Sequence, residues 1–368
     1  MDIKEKVELV IKQFDLQGEI IGKSTLEKGH INDTFCIEYR LDNNIIKRYI
    51  LQRINTNIFK NVDELMENVF NVTSHLKKKI LENSGDVERE TLSIIKTRDG
   101  KNYYKSDEGD YWRVYNFVED TITYDLVENV QDFYESAVAF GNFQMLLSDF
   151  PANTLYETIP NFHNTVDRLD KLKEAIKNDV VGRVKDVKDE IDFVLDREKD
   201  CHIICDLLNK NEIPLRVTHN DTKLNNILID TKTKKAICVI DLDTVMPGTV
   251  LNDFGDSIRF GASTALEDEK DLSKVECSME LFEAYTKGFI EGTKGKLTDK
   301  EKEMLPMGSK LMTLECGIRF LTDYLQGDTY FKISREGHNL DRARTQFKLV
   351  LDMENKWQQM IDITKKYS

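Results

Sequence analysis

Val7, Val10, Ile11 and Phe14 recur at the spacing of one helix face. The pattern then switches to short runs rich in β-branched and aromatic residues: I-I-G-K-S-T-L near 20–26, T-F-C-I-E-Y-R at 34–40 and R-Y-I-L-Q-R-I at 48–54. The tight polar connections between them, E-K-G-H-I-N-D and L-D-N-N, suit antiparallel hairpins. Helical spacing returns at 61–76, where Leu65, Val69, Val72 and Leu76 share a face and Asn61 or Asp63 can cap the first turn. Strand-like runs resume at 92–97, 102–105 and 111–118, so the pattern predicts a five-stranded antiparallel sheet carrying a single helix. From about Asn129 long amphipathic helical patterns dominate, at 130–148, 164–181, 185–210, 277–292, 298–326 and 340–366. A β-rich insert at 214–241 interrupts them.

This order predicts an α+β chain of two lobes, an N-terminal sheet lobe over 1–118 and a mainly helical lobe over 119–368. Its 368 residues exceed what a single core of roughly 250–300 residues accommodates. The formal net charge of −14 opposes bulk binding to nucleic acid or anionic lipid. A phosphate-bearing ligand would therefore need local cations, a metal or backbone amides. The N-terminal segment mixes charged with apolar residues, unlike a signal peptide, and no apolar run approaches the roughly 18 residues of a membrane span. The expected setting is cytoplasmic, as a monomer or weak homo-oligomer without nucleic-acid or membrane partners. Cysteines 201 and 205, with His202 between them, lack a second ligand pair and read as structural rather than zinc-binding.

The insert carries the chemistry. Val217-Thr218-His219-Asn220-Asp221-Thr222-Lys223-Leu224-Asn225-Asn226 crowds polar groups between two apolar runs, and twenty residues after Asp221 the strand-like Ala236–Ile240 ends at Asp241. Phosphoryl transfer needs a carboxylate to orient the attacking hydroxyl and accept its proton, oxygen ligands for Mg²⁺, and a cation near the moving group. Asp221 can supply the first; Asn226 and Asp241 offer oxygen ligands of the kind Mg²⁺ takes. Lys223 either neutralises the transferring group or is simply solvated. Taken singly, each Asp or Asn would be an ordinary turn former. His219 reads as a brace for the loop. Asp253-Phe254-Gly255 spells a metal-binding motif but begins a helical run, so Asp253 is expected to cap that helix and accept hydrogen bonds from the loop.

The spacing H-N-D-x-x-x-x-N followed by V-I-D-L-D resembles the aminoglycoside phosphotransferase and choline kinase branch of the protein-kinase-like fold. The resemblance implies that Asp221 is the catalytic base, that Asn226 and Asp241 hold Mg²⁺, and that ATP lies under the hairpin turn containing Gly29. Gln52 stands where protein kinases carry a strand lysine, with Arg53 beside it and Glu67 as the candidate helix partner. The backbone of 113–118, including Tyr115 and Phe117, is the expected adenine hinge.

Three longer stretches, L-Q-R-I-N-x-N-I-F-K-N with L-M-E-N, I-D-L-D-T-V-M-P-G and G-I-R-F-L-T-D-Y-L-Q-G-D-T-Y-F, look like the N-acetylhexosamine 1-kinases. That similarity implies transfer of the γ-phosphoryl of ATP to the C1 hydroxyl of N-acetylglucosamine or N-acetylgalactosamine, with His30, Phe260, Arg319 and Tyr330 beside Asp221 at the sugar. Arg319 also has a purely helical reading, an i,i+4 pair with Asp323. Rival functions are a kinase for another small alcohol, such as an amino alcohol or aminoglycoside, and a nucleotide-binding pseudokinase.

Overall fold

A computed structural model describes residues 3–26, 31–42 and 44–368. The chain forms two compact units: one of Met1–Ile122, Thr154–Pro160 and Leu228–Val245, the other of Thr123–Asn153, Asn161–Ile227 and Met246–Ser368.

The first unit is built on an antiparallel sheet. Its strands are β1 (Glu19–Thr25), β2 (Asp33–Arg40), β3 (Ile46–Ile54), β4 (Ile94–Ile95), β5 (Tyr104–Lys105) and β6 (Tyr111–Asn116), ordered β1-β2-β3-β6-β4 with β5 also on β6. The sheet has six strands, one from each of the six strand-like runs and one more than the five expected, because the run 102–105 also joins it, with Tyr104–Lys105 pairing with the start of β6. Alternate residues Phe35, Ile37 and Tyr39 of β2, Tyr49 and Leu51 of β3, and Trp112 and Val114 of β6 form one apolar cluster with Val7, Val10 and Ile11 of helix α1 (Ile3–Ile11) and with Phe14. Period 2 on the strands meets period 3.6 on the helix, as burial of one face of each requires. Helix α2 (Val62–Glu82) buries the expected Leu65, Val69, Val72 and Leu76, and Asn61 caps it by accepting from the Glu64 amide at 3.3 Å. Its buried Asn68 holds the backbone of Tyr156 and donates to the Val245 carbonyl at 3.2 Å. Strands β7 (Thr121–Ile122), β9 (Ile227–Asp230) and β10 (Ala236–Val239) make a second small sheet, ordered β10-β9-β7.

The second unit is helical apart from β8 (Arg216–Thr218), which pairs with β11 (Met246–Gly248). The pairing converts the expected loop M-P-G into an edge strand, a place where proline is tolerated. The helices are α3 (Val130–Leu146), α4 (Thr165–Asn178), α5 (Lys188–Leu195), α6 (Glu198–Cys201), α7 (Ile203–Asn209), α8 (Val250–Gly261), α9 (Met279–Gly292), α10 (Asp299–Leu325), α11 (His338–Asn355) and α12 (Trp357–Tyr367). The pattern at 185–210 is broken into three short helices near Arg197 and His202, and that at 340–366 into two at Lys356. Thr298 and Glu301 form a capping box that starts α10.

Helix α8 crosses α10 at a pair of glycines. A Cβ on Gly255 would lie 2.3 Å from the Gly308 carbonyl oxygen, and one on Gly308 would lie 2.6 Å from the Leu251 carbonyl oxygen. Gly255 is therefore fixed by helix packing, which explains the third letter of Asp253-Phe254-Gly255 without a metal. Thr249, not Asp253, occupies the N-cap position of α8. Because backbone cannot yield as a side-chain tip can, Gly255→Ala is expected to cost about 1–3 kcal/mol, read as a lower denaturant midpoint with an unchanged slope.

Candidate active site

The loop between β8 and β9 takes its shape from α8. Asp253, inside the first turn of that helix, accepts the His219 amide at 2.9 Å, the Asn220 amide at 2.8 Å and the Gln144 side-chain amide at 2.8 Å. Burial pushes the Asp253 carboxyl pKa up despite these donors. One turn further on, Asp256 accepts the Thr222 amide at 3.0 Å, and the Ser257 hydroxyl donates to the Thr222 carbonyl at 2.7 Å. Asn220 sits in the left-handed region at φ 64°, a conformation asparagine tolerates. His219 is fully buried against Phe140 and Phe143, and its Nδ1 accepts the Asp221 amide at 3.3 Å.

These contacts leave Asp221 half-buried with two charged or polar neighbours. Lys223 Nζ lies 2.8 Å from Asp221 Oδ1 and keeps 37% of its side chain exposed, so it is paired rather than freely solvated. Burial alone would lower the Lys223 pKa, but the Asp221 and Asp256 charges outweigh it and hold the ammonium above its ordinary value. Asp256 moves the other way from Asp253. Burial would raise its pKa, yet Arg259, Lys223 and His163 lower it. Arg259 donates to Asp256 at 3.0 and 3.1 Å and to Glu267 at 2.8 Å. Asn226 donates through Nδ2 to the Asp221 carbonyl at 2.8 Å and to its carboxylate at 3.2 Å. Both contacts use the nitrogen, and among the described residues the amide oxygen has no hydrogen-bond donor, which leaves it an acceptor of the kind a hard cation takes.

Further along the same unit, His163 bridges Glu315 of α10 (2.9 Å) and the Asn220 carbonyl (3.0 Å), and Thr165 donates to the other Glu315 oxygen at 2.8 Å. One turn after Glu315, Arg319 stacks over Phe162 (5.8 Å) and Phe331 (5.4 Å). It does not pair with Asp323. That carboxylate is occupied by the amides of Thr329, Tyr330 and Phe331, at 2.8–2.9 Å, and by Asn339. Among the described residues Arg319 forms no ion pair. Tyr330 is 72% exposed and packs edge-on against Phe331, while Phe260 is half-buried at the end of α8.

The residues expected at the nucleotide belong to the other unit. Gly29 and His30 lie outside the described residues. Gln52 does not wait for a ligand; its oxygen accepts from Arg113 Nε at 3.0 Å and Nη2 at 2.8 Å. Arg53 pairs with Asp33 and Asp110. Glu67 is exposed on α2, on the side away from its buried residues, and so makes no helix–strand ion pair of the expected kind. Tyr115 is buried beside Arg113. The Asn116 and Phe117 amides already donate to the Ser93 and Arg48 carbonyls, so neither is free for the hinge pairing expected of 113–118. Asp241 succeeds β10 in a left-handed conformation (φ 57°, ψ 60°). Among the described residues no three His, Cys, Asp or Glu side chains are grouped to hold a metal. By donor chemistry alone, a carboxylate such as Asp241 and an amide oxygen such as that of Asn226 are each groups that Mg²⁺ accepts, since the ion keeps most of its shell as water and phosphate oxygens.

Sequence reasoning missed His163, Asp256 and Arg113. His163 carries no motif. Asp256 was visible as the second acid of D-x-x-D, and Arg113 as a lone cation inside the apolar strand Y-W-R-V-Y.

Residues 24–274 match the phosphotransferase enzyme family, and the chain belongs to it. The fold is that of solved structures with low identity. A choline kinase from Cryptosporidium parvum Iowa II is 15% identical (TM-score 0.59, covering 100% of this chain and 99% of that one). An aminoglycoside phosphotransferase from Alicyclobacillus acidocaldarius is 12% identical (TM-score 0.61, 98% and 95%). The amicoumacin kinase solved with AMP-PNP and Ca²⁺ is 13% identical (TM-score 0.59, 97% and 94%). The mixed α+β, protein-kinase-like architecture is thereby established, and none of the helices described is long and apolar enough to cross a membrane.

The His163–Glu315 pair yields a pH prediction. Burial alone would lower the His163 pKa, but Glu315 raises it above 6.5. A raised folded pKa contributes stability that is complete below the unfolded value and lost as pH rises through the folded one. The melting-temperature gap between wild type and His163→Gln is therefore expected to be largest near pH 6 and to shrink toward pH 9. A gap that widens with pH contradicts the charged pair.

Proposed function

We propose that the chain is an ATP- and Mg²⁺-dependent kinase that phosphorylates the C1 hydroxyl of N-acetylhexosamines. Family membership supports phosphoryl transfer to an alcohol. Within it, Asp221 orients the sugar hydroxyl and takes its proton as the oxygen–phosphorus bond forms and the bond from the γ-phosphorus to the β–γ bridging oxygen breaks, releasing ADP. Lys223, held 2.8 Å from Asp221, places a positive charge beside the reacting oxygen. Asn226 and Asp241 are the proposed ligands of Mg²⁺, which when bound neutralises charge on the nucleotide phosphates.

The observation that carries the acceptor class is a pair of arginines. Burial first, and then the charge of Arg319, lower the Arg168 pKa, so the two guanidiniums repel each other. Arg168 Nε is buried without a hydrogen-bond partner among the described residues. Arg319, stacked on Phe162 and Phe331, suits an acceptor rich in hydroxyl and carbonyl oxygens, with the rings available to a sugar face.

Release of ADP with a panel of acceptors tests the reading. N-acetylglucosamine or N-acetylgalactosamine should support turnover, and choline, ethanolamine and a polycationic aminoglycoside should not; turnover confined to the amines would sink the sugar assignment. Asp221→Asn is expected to keep nucleotide binding and to lose two to four orders of magnitude in kcat, about the range for a general base. Arg319→Met should raise the KM for sugar about 10-fold or more while leaving the KM for ATP in place, as loss of a charged hydrogen bond of roughly 1.5–3 kcal/mol implies.

A further inference from the structure

In the sheet-bearing unit Arg113 (1% exposed) on β6 and Asp243 (3% exposed) are charged side chains buried almost completely, and neither belongs to the proposed reaction. They form an ion pair, Arg113 Nη1 with Asp243 Oδ1. Burial would lower the Arg113 pKa, but Asp243 outweighs it and the guanidinium stays charged. Its Nε and Nη2 are engaged by Gln52 of β3, the residue directly across the ladder from Arg113. No face of this guanidinium is left to reach a nucleotide, so it is not a displaced version of the strand lysine that binds phosphates.

The other end of the pair shows what Arg113 holds. Asp243 lies two residues after Asp241, in the 3₁₀ turn Leu242–Thr244 that Asp241 opens in left-handed geometry. Aspartate tolerates that geometry better than most residues, and contacts on either side hold it there. They do so through two anchors. Asp243 is tied to β6 by Arg113, and its second oxygen accepts from Asn32 Nδ2 at 2.7 Å, while Val245 is held through its carbonyl by Asn68 of α2. Asn32 in turn accepts the Asn55 amide at the end of β3, at 2.9 Å.

We infer that Arg113 is a positioning residue for Asp241, acting through Asp243, and that Gln52 occupies the strand position normally given to a cation in order to orient Arg113. The inference rests on the reading of Asp241 as a metal ligand. Groups that orient metal ligands without touching the metal typically govern 10–100-fold in metal affinity. An ion pair this deeply buried contributes little net stability compared with an uncharged replacement, whereas breaking one half leaves a charge stranded. Position and stability can therefore be separated experimentally.

ADP binding is measured by calorimetry with Mg²⁺ and with EDTA, alongside thermal melting, for wild type, Arg113→Met, Asp243→Asn, the double variant and Asp241→Asn. Wild type is expected to bind ADP more tightly with Mg²⁺. Both single variants should melt lower and lose about 10–100-fold of the Mg²⁺-dependent enhancement, with binding in EDTA retained. The double variant, with no stranded charge, should recover melting temperature without recovering the enhancement; it carries the measurement if a single variant does not fold. Return of the enhancement together with the melting temperature would mean that Arg113 is only structural and would overturn the inference. No enhancement in wild type, or full enhancement in Asp241→Asn, would instead overturn the metal-ligand reading and this inference with it.

Discussion

The loop from His219 to Asn226 exists in its observed form because two carboxylates one helical turn apart, Asp253 and Asp256, accept its amides. A buried carboxylate is costly unless its lone pairs are filled, and backbone N–H groups in a tight loop are costly unless they find acceptors. Each need satisfies the other. The two acids are nevertheless used differently. Asp253 meets only neutral donors apart from its neighbourhood with His219, and burial dominates its pKa. Asp256 meets Arg259 and Lys223 and remains firmly ionised. The first fixes the backbone of the loop, and the second fixes the cation that stands beside Asp221. Both depend on how closely α8 approaches α10, hence on Gly255 and Gly308.

Charge in this protein is local rather than global. A chain with net charge −14 has no bulk attraction for phosphate. The cations near Asp221 are each held against a named carboxylate: Lys223 against Asp221, and Arg259 against Asp256 and Glu267. Pairing keeps them charged inside the protein and limits their motion, so that they present a fixed positive field where solvated lysines would not. Arg319 differs: among the described residues it forms no ion pair, and aromatic rings stack on it while Glu315 acts on it only at longer range. A cation stacked on rings retains its hydrogen-bonding edge for a ligand.

Local pattern was a good guide wherever local physics decides. Helix faces, strand alternation and the Asn61 cap are read from residues within one turn of each other, and they appear where expected. The short H-N-D-x-x-x-x-N spacing was legible for the same reason. What sequence could not reveal are contacts between distant residues. His163 joins Asn220 and Glu315 across 57 and 152 residues, and nothing near it in the chain announces either partner. The absence of a strand lysine at Gln52 was visible, but its consequence was not, because Arg113 lies 61 residues away and becomes a neighbour only through the β3–β6 ladder. The β11 strand and its pairing with β8 were obscured by length, since three residues cannot display a period.

The segment G-I-R-F-L-T-D-Y-L shows how one stretch can serve two ends. Its arginine and aspartate stand at the spacing of an ordinary helical ion pair, and by spacing alone Arg319 would be neutralised. The turn after the helix removes this option. Three amides and Asn339 converge on Asp323, and a carboxylate with that many donors has little acceptor capacity left for a guanidinium. Filling Asp323 folds residues 329–331 so that Phe331 comes to lie against Arg319, and the same event removes Asp323 as an ion-pair partner for Arg319. The aspartate thus acts by occupation: it shapes the aromatic wall and, by being saturated, leaves the guanidinium stacked on rings rather than locked in an i,i+4 ion pair, with the charge of Glu315, one turn back, acting at longer range.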